Sequence, residues 1–484
     1  MNKHISNITL LNLPNNEKIT RRYMCSYTSP VSLFPPYELL SVGGIIKEEL
    51  KININLIDAI ADNCNLEFVI NKLKQNIPDV IITITGFECY NDDVLAINAI
   101  KNEFQNTLIF VIGHYPTIFP KETLIASLAD FILHGEPDLS VIQLLSALEN
   151  SRDISKIDNI SFFDAAGGFH TTHTGGRISD INNLPLPIHQ LLLSDSYSEP
   201  LLPKPYAIIQ TARGCPYQCN FCVKSFGSRL TEKSPERIIE EIMLLVKTRK
   251  INSFRFTDDT FTLNTKRVIK ICQLIIQNNL SYLKWTCLSR VDNINEEMLV
   301  WLKKAGCARI YFGIESGSKK ILQILNKNTD VESSLKSLQM VKRYGIQTSG
   351  FFMLGIPGET IQDIDLSIKY AIEAKLDFIA IGNFTPYPGT PIFDKFKSDI
   401  DFSIFPYKLQ FKNINNDNYV KYEKYFYKKF YYRFAYILDK IKFVYTKPMD
   451  FVSYFASFIF YSLGLKSNAL NHVQISGNSK GSSL

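Results

Sequence analysis

Three cysteines, Cys215, Cys219 and Cys222, fall within eight residues of a 484-residue chain. They stand in Ala212-Arg-Gly-Cys-Pro-Tyr-Gln-Cys-Asn-Phe-Cys222, a CxxxCxxC spacing. A loop carrying three thiolates this close together can wrap one corner of a cubane iron–sulfur cluster, and Gly214 and Pro216 suit the tight turn that points them inward. Three ligands for four irons leave one iron open. An open iron can chelate the amino and carboxylate groups of S-adenosylmethionine (SAM) and pass one electron into a carbon–sulfur bond, while the protein holds, orients and excludes water. The competing readings are a zinc site or three unrelated core thiols. Zinc commonly takes four ligands in two pairs, and no fourth Cys or His lies nearby in the sequence.

The strap follows directly on a β-branched run, Tyr206 to Thr211, the first of six candidate strands that mostly alternate with helices between residues 204 and 400. Six consecutive parallel strands predict a partial (β/α)6 TIM barrel, with functional residues at the carboxyl ends of the strands. Residues 1–150 show the same alternation in shorter units and predict an α/β, doubly wound, Rossmann-like domain with a parallel sheet. Residues 151–203, rich in Gly and Pro turns, read as a linker and hairpin. Residues 401–484 read as a helical tail crowded with Tyr, Phe and Lys, with a polar, disordered end.

On these motifs the chain resembles the radical SAM superfamily, and within it the class with an N-terminal cobalamin-binding domain, such as the anaerobic magnesium-protoporphyrin ester cyclases and hopanoid-associated enzymes. The likeness spans about residues 8 to 440. It implies a four-iron four-sulfur cluster on Cys215, Cys219 and Cys222, with SAM as co-substrate. By the same resemblance Phe221 lies near the adenine, and Asp258 and Asp259, ending the second barrel strand, receive the methionine amino group. Arg290 meets the methionine carboxylate, and Glu315 contacts ribose or methionine. Gly355 and Pro357, in Gly355-Ile-Pro-Gly-Glu359, form the turn that lets backbone approach the adenosine. The first domain resembles the cobalamin-binding fold, with Gly113 and Thr117 of Gly113-His-Tyr-Pro-Thr117 on a corrin-facing loop. The DxHxxG signature that coordinates cobalt is absent, since Asp58-Ala-Ile-Ala-Asp62 occupies that region. His114 is a candidate substitute ligand, set against a merely polar histidine.

Composition narrows the class without deciding it. With 45% hydrophobic residues the chain can bury more than one core. A net charge of +6, from 53 basic and 47 acidic residues, calls for no nucleic-acid partner. Nine cysteines without an export signal at Met1 to Leu13 predict buried thiols plus one metal site in the cytoplasm. The expected partners are a small-molecule substrate and a reductant such as flavodoxin or ferredoxin. The aromatic tail suggests peripheral membrane contact, a lid over an apolar substrate, or equally the ordinary packing of a terminal helix against the barrel. Rival readings are a tRNA methylthiotransferase-like enzyme, which needs a second cysteine triad, and a non-catalytic cobalamin or iron–sulfur carrier.

Overall fold

The computed structural model describes residues 4–15, 19–21, 27–28, 32–175, 177–224, 226–401, 408–409 and 419–438. Two sheets organise them. The first is built from β1 (Asn7–Asn12), β2 (Asn53–Asp58), β3 (Val80–Thr85), β4 (Leu108–Gly113), β5 (Phe131–Leu133), β6 (Ile160–Phe163) and β7 (Phe169–Thr171). Its order is β2-β1-β3-β4-β5-β6-β7, parallel through β5 and antiparallel beyond. Every residue of β1 and β3 is buried, because helices cover both faces of the sheet. Strand order reverses between β1 and β3, and the crevice at the carboxyl edge beside such a reversal is where open α/β sheets take ligands. The β6–β7 hairpin, from the segment read as linker, extends the sheet beyond β5.

The second sheet runs β8 (Tyr206–Ile209), β9 (Ser253–Phe256), β10 (Lys284–Ser289), β11 (Cys307–Glu315), β12 (Gln347–Leu354) and β13 (Phe378–Asn383), all parallel and in sequence order. It is the expected partial barrel, open between β8 and β13 among the described residues. Helices α1 (Pro235–Arg249), α2 (Thr265–Gln277), α3 (Glu296–Lys304), α4 (Val331–Arg343) and α5 (Ile361–Glu373) cover its outer face. Their starts are fixed by side-chain caps: Ser234, Asn264, Asn295 and Asp330 each accept from a first-turn N–H, and Thr360 and Asp363 form a capping box. Trp285, Phe254, Phe256 and Phe261 stack in the core so formed.

The aromatic tail has a definite role where it is described. Helix α6 (Tyr419–Tyr431) buries Phe426, Tyr427, Phe430 and Tyr431 on one face against the barrel. Strand β13 is an edge, and the tyrosine hydroxyls serve it: Ile379 N–H donates to Tyr431 Oη and Ile381 N–H to Tyr427 Oη, each at 3.1 Å. Tyr436 Oη donates to the Asp377 carbonyl at 2.8 Å. The stretch Phe451 to Leu465, the polar end from Ser467, and Cys25 lie outside the described residues. Among those described, no helix is long and apolar enough to cross a membrane.

The two sheets are joined by buried polar contacts. Glu241 accepts from Tyr37 at 3.1 Å and from Lys233 at 2.7 Å, and His189 Nε2 sits 3.0 Å from it. Burial alone would raise the Glu241 carboxyl, but Lys233 and His189 hold it down at about 2. This knot ties the first helix of the chain and the linker to α1.

Candidate active site at the barrel mouth

The cysteine strap leaves β8 through a backbone that admits few alternatives. Gly214 has φ +87, and a Cβ there would stand 2.2 Å from the Arg229 carbonyl oxygen. Just before it, Arg213 donates to both carboxylate oxygens of Asp138 on the first domain, at 2.8 and 3.0 Å, and stacks on Phe226. On the far side, Asn220 N–H donates to the Leu325 carbonyl at 2.9 Å and Asn220 Nδ2 to that of Ile324 at 3.1 Å. The strap is thus pinned at both ends, and Cys215, Cys219 and Cys222 are half-buried free thiols.

Among the described residues, no three His, Cys, Asp or Glu side chains converge as ligands of a single ion would. Cys64, half-buried, and Cys89, buried, belong to the first domain. The strap instead offers a one-loop thiol set of the type that suits a multi-iron cluster. Burial, followed by the Asp259 carboxylate, pushes the Cys222 thiol well up, and burial also raises Cys215. Such thiols become ligands by exchanging protons for metal charge.

The other sequence-predicted residues divide. Asp259 acts electrostatically on Cys215 and Cys222, adding to the burial that raises both thiols. Asp258 does not face the thiols. It is buried, accepting from the Thr211 N–H at 2.6 Å, the Ala212 N–H at 3.0 Å and the Thr211 hydroxyl, so it fixes the backbone entering the strap. Arg290 reaches Cys219 Sγ with Nη1 at 3.6 Å while gripping Asp292. Glu315 ends β11 with φ +68, a left-handed conformation uncommon for a non-glycine residue. Its carboxylate accepts from Lys327 Nζ at 2.7 Å, and the same ammonium donates to the Gly313 carbonyl at 2.6 Å. Lys327 escaped the sequence reading; its only signal is position after the short helix that follows β11.

Phe221 packs with an apolar group that includes Ile356, Phe384 and Ile392, bringing the strap to the turn after β12 and the loop after β13. In that turn Gly355 has φ +86 and donates its N–H to Glu359 Oε2 at 2.7 Å, while Pro357 is buried. Burial pushes the Glu359 carboxyl up to about 7, and its Oε1 has no hydrogen-bond partner.

The first domain closes over this mouth. Gly113 ends β4 with φ +123, where a Cβ would lie 2.1 Å from the Thr85 carbonyl oxygen. Thr117 donates to the Gly113 carbonyl at 2.7 Å and accepts from the Gly135 N–H at 3.1 Å, locking two strand-end loops together. A cavity of about 300 Å³ opens here, lined by Gly113, Thr117 and Gly135 on one side and Cys222, Lys224 and Gly389 on the other. His114 also borders it, and burial lowers its imidazole to about 4, so it is neutral near pH 7. Tyr387, on the loop after β13, donates to Glu88 at 2.5 Å and packs on Phe87, bridging the two domains at the rim.

Comparison with known proteins gives these features a setting. Residues 209–371, which hold the strap and most of the barrel, match the radical SAM superfamily. An uncharacterized methyltransferase of Pyrococcus horikoshii is 32% identical over 364 residues, covering 74% of this chain and 78% of that protein. The anaerobic magnesium-protoporphyrin IX monomethyl ester cyclase of Rubrivivax gelatinosus is 25% identical, covering 76% and 67%. Among solved structures, the cobalamin-dependent SAM radical enzyme OxsB, with aqua-cobalamin and SAM bound, superposes with a TM-score of 0.64 at 19% identity. That match covers 76% of this chain and 52% of OxsB, so the chain spans about half of OxsB's length and shares its fold.

Proposed function

The chain belongs to the radical SAM superfamily, and on that premise we propose that it is a cobalamin-dependent radical SAM enzyme acting on a small molecule by methyl transfer or cyclisation. One observation carries the cobalamin part: Cys222 of the strap and Gly113, Thr117 and Gly135 of the first domain line one cavity. The residues present suit both groups. Three half-buried thiols on one loop form a cluster donor set, and the side-chain-free surface at Gly113 and Gly135 suits the flat face of a macrocycle. With both groups bound, the cluster supplies the electron that breaks a carbon–sulfur bond of SAM and cobalamin supplies a carrier for a methyl group.

The chain's own residues then hold and orient. Asp259 offers an anion for the methionine ammonium at the mouth, and Arg290 and Lys327 supply the cations that a carboxylate seeks. Phe221, Ile356 and Phe384 form an apolar wall for the adenine, and the turn at Gly355 and Pro357 brings backbone groups close enough to bond it. The absence of a DxHxxG histidine, with His114 neutral and buried, favours cobalamin held without an imidazole from that motif. Names of relatives frame the two reactions, methyltransferase for one and cyclase for the other. Reduction of the cluster calls for a one-electron donor of the flavodoxin or ferredoxin kind. Exposed Tyr432, Phe434, Ile437 and Leu438 support peripheral membrane contact.

The test is anaerobic reconstitution with iron, sulfide and hydroxocobalamin, desalting, then SAM and dithionite with mass spectrometry for 5′-deoxyadenosine. Retained cobalamin and cofactor cleavage are expected. A full cluster with no retained cobalamin would remove the cobalamin assignment, and a full cluster with no cleavage would favour a carrier.

A further inference from the structure

The guanidinium of Arg290 is unusually committed for a group at a substrate mouth. Its Nε donates to Asp292 Oδ1 at 3.0 Å, and Nη2 donates to Asp292 Oδ2 at 2.8 Å and to Thr329 Oγ1 at 3.0 Å. Its plane stacks on the Tyr217 ring, 3.8 Å from the centroid, and Tyr217 is itself held by Asn293 at 2.7 Å. The side chain is buried, 8% exposed. Three fixed contacts and a stacked face leave Nη1 aimed at Cys219 Sγ at 3.6 Å. Arginine's planar fork makes that direction rigid, which an ammonium on a flexible stem does not.

We propose that Arg290 is a positioning residue that donates an N–H···S hydrogen bond to the Cys219 thiolate and thereby raises the reduction potential of the cluster. This rests on the reading of the strap as cluster ligands. A donor aimed at sulfur withdraws electron density from it and stabilises the more negative, reduced cluster, one of the recognised levers on cluster potential. Asp292 neutralises the guanidinium's net charge, so the effect at Cys219 is carried by the directed N–H. Of the five guanidinium N–H groups, the four contacts above engage four, so one remains for a carboxylate ligand.

The experiment is an EPR-monitored redox titration of the anaerobically reconstituted full chain, wild type against Arg290→Gln, with iron and sulfide content measured on the same samples. Arg290→Gln is expected to keep its cluster and be about tenfold harder to reduce, about 59 mV more negative for a one-electron couple. An unchanged potential at full cluster content overturns the proposal. If Arg290→Gln retains no cluster, Arg290→Lys is titrated instead: a more negative potential supports the directed bond, and the wild-type potential overturns it. A wild-type chain that binds no cluster refutes the ligand reading itself, an outcome separable from any shift.

Discussion

Removing the Arg213 guanidinium should loosen the first domain from the cysteine strap. Arg213 and Asp138 are 7% and 2% exposed, and both guanidinium nitrogens reach the carboxylate, at 2.8 and 3.0 Å. Arg213→Met keeps the length of the stem and strands a buried carboxylate that, among the described residues, also accepts from the Ser41 hydroxyl at 3.5 Å. Breaking such a pair from one side costs about 3–5 kcal/mol. At about 2–4 °C per kcal/mol for domains of this size, the first thermal transition should fall by roughly 6–20 °C. Differential scanning calorimetry under anaerobic conditions reads this directly. The double variant Arg213→Met with Asp138→Leu, apolar on both sides, should recover most of the loss, because no charge is left buried. A shift below about 2 °C in the single variant, or a double variant whose loss equals the sum of the two singles, would refute the reasoning.

Further outcomes follow from other residues. Cys219→Ala should abolish cluster assembly, read as iron and sulfide content, with the far-UV circular dichroism unchanged; normal iron would contradict the ligand assignment. Gly113→Ala puts a Cβ 2.1 Å from a backbone oxygen at φ +123, so cobalamin retention should drop while cluster content holds. Equal loss of both groups would point to global unfolding instead. Glu359 is pushed up to about 7 from the ordinary 4.5, so its carboxyl is protonated in the fold at pH values where it ionises in the unfolded chain. Its burial therefore removes stability as pH rises from about 4.5 through 7, by up to about 3 kcal/mol. Glu359→Gln should gain on the wild type in urea titrations at pH 8 relative to pH 5; parallel curves at the two pH values would show that the carboxyl is not shifted.

Much of the architecture was legible because buried parallel strands are near-continuous apolar runs: the six strands expected between residues 204 and 400 are present, parallel and in sequence order. The strap was legible because three thiols on one loop are a local signal. The helix Pro137–Glu149 is hard to read from sequence, since exposed Leu139 beside buried Asp138 and Ser140 blurs its stripe. What sequence order hides is direction across distance. Asp258 and Asp259 are adjacent and alike, yet in the loop just past β9 one accepts from the Thr211 backbone and the other acts on the cysteines. Arg213 with Asp138 is a pairing 75 positions apart, and Arg290 with Cys219 one of 71; neither leaves any periodic trace. The aromatic helix reads equally as a membrane face or as a helix packed on the barrel, and Phe426, Tyr427, Phe430 and Tyr431 take the second course.

That helix bears on how an unfinished cylinder guards its open flank. A sheet that stops at its sixth member presents a row of bare amides to any passing strand, a template for aggregation that proteins normally blunt with charge, proline or a cover. Here two phenol oxygens take the place of the neighbour that never arrives, satisfying alternate amides of Phe378–Asn383 while their rings shield the seam. The residues that finish the border are thus side chains rather than backbone, which seals one flank against strand addition without closing the wall into a ring.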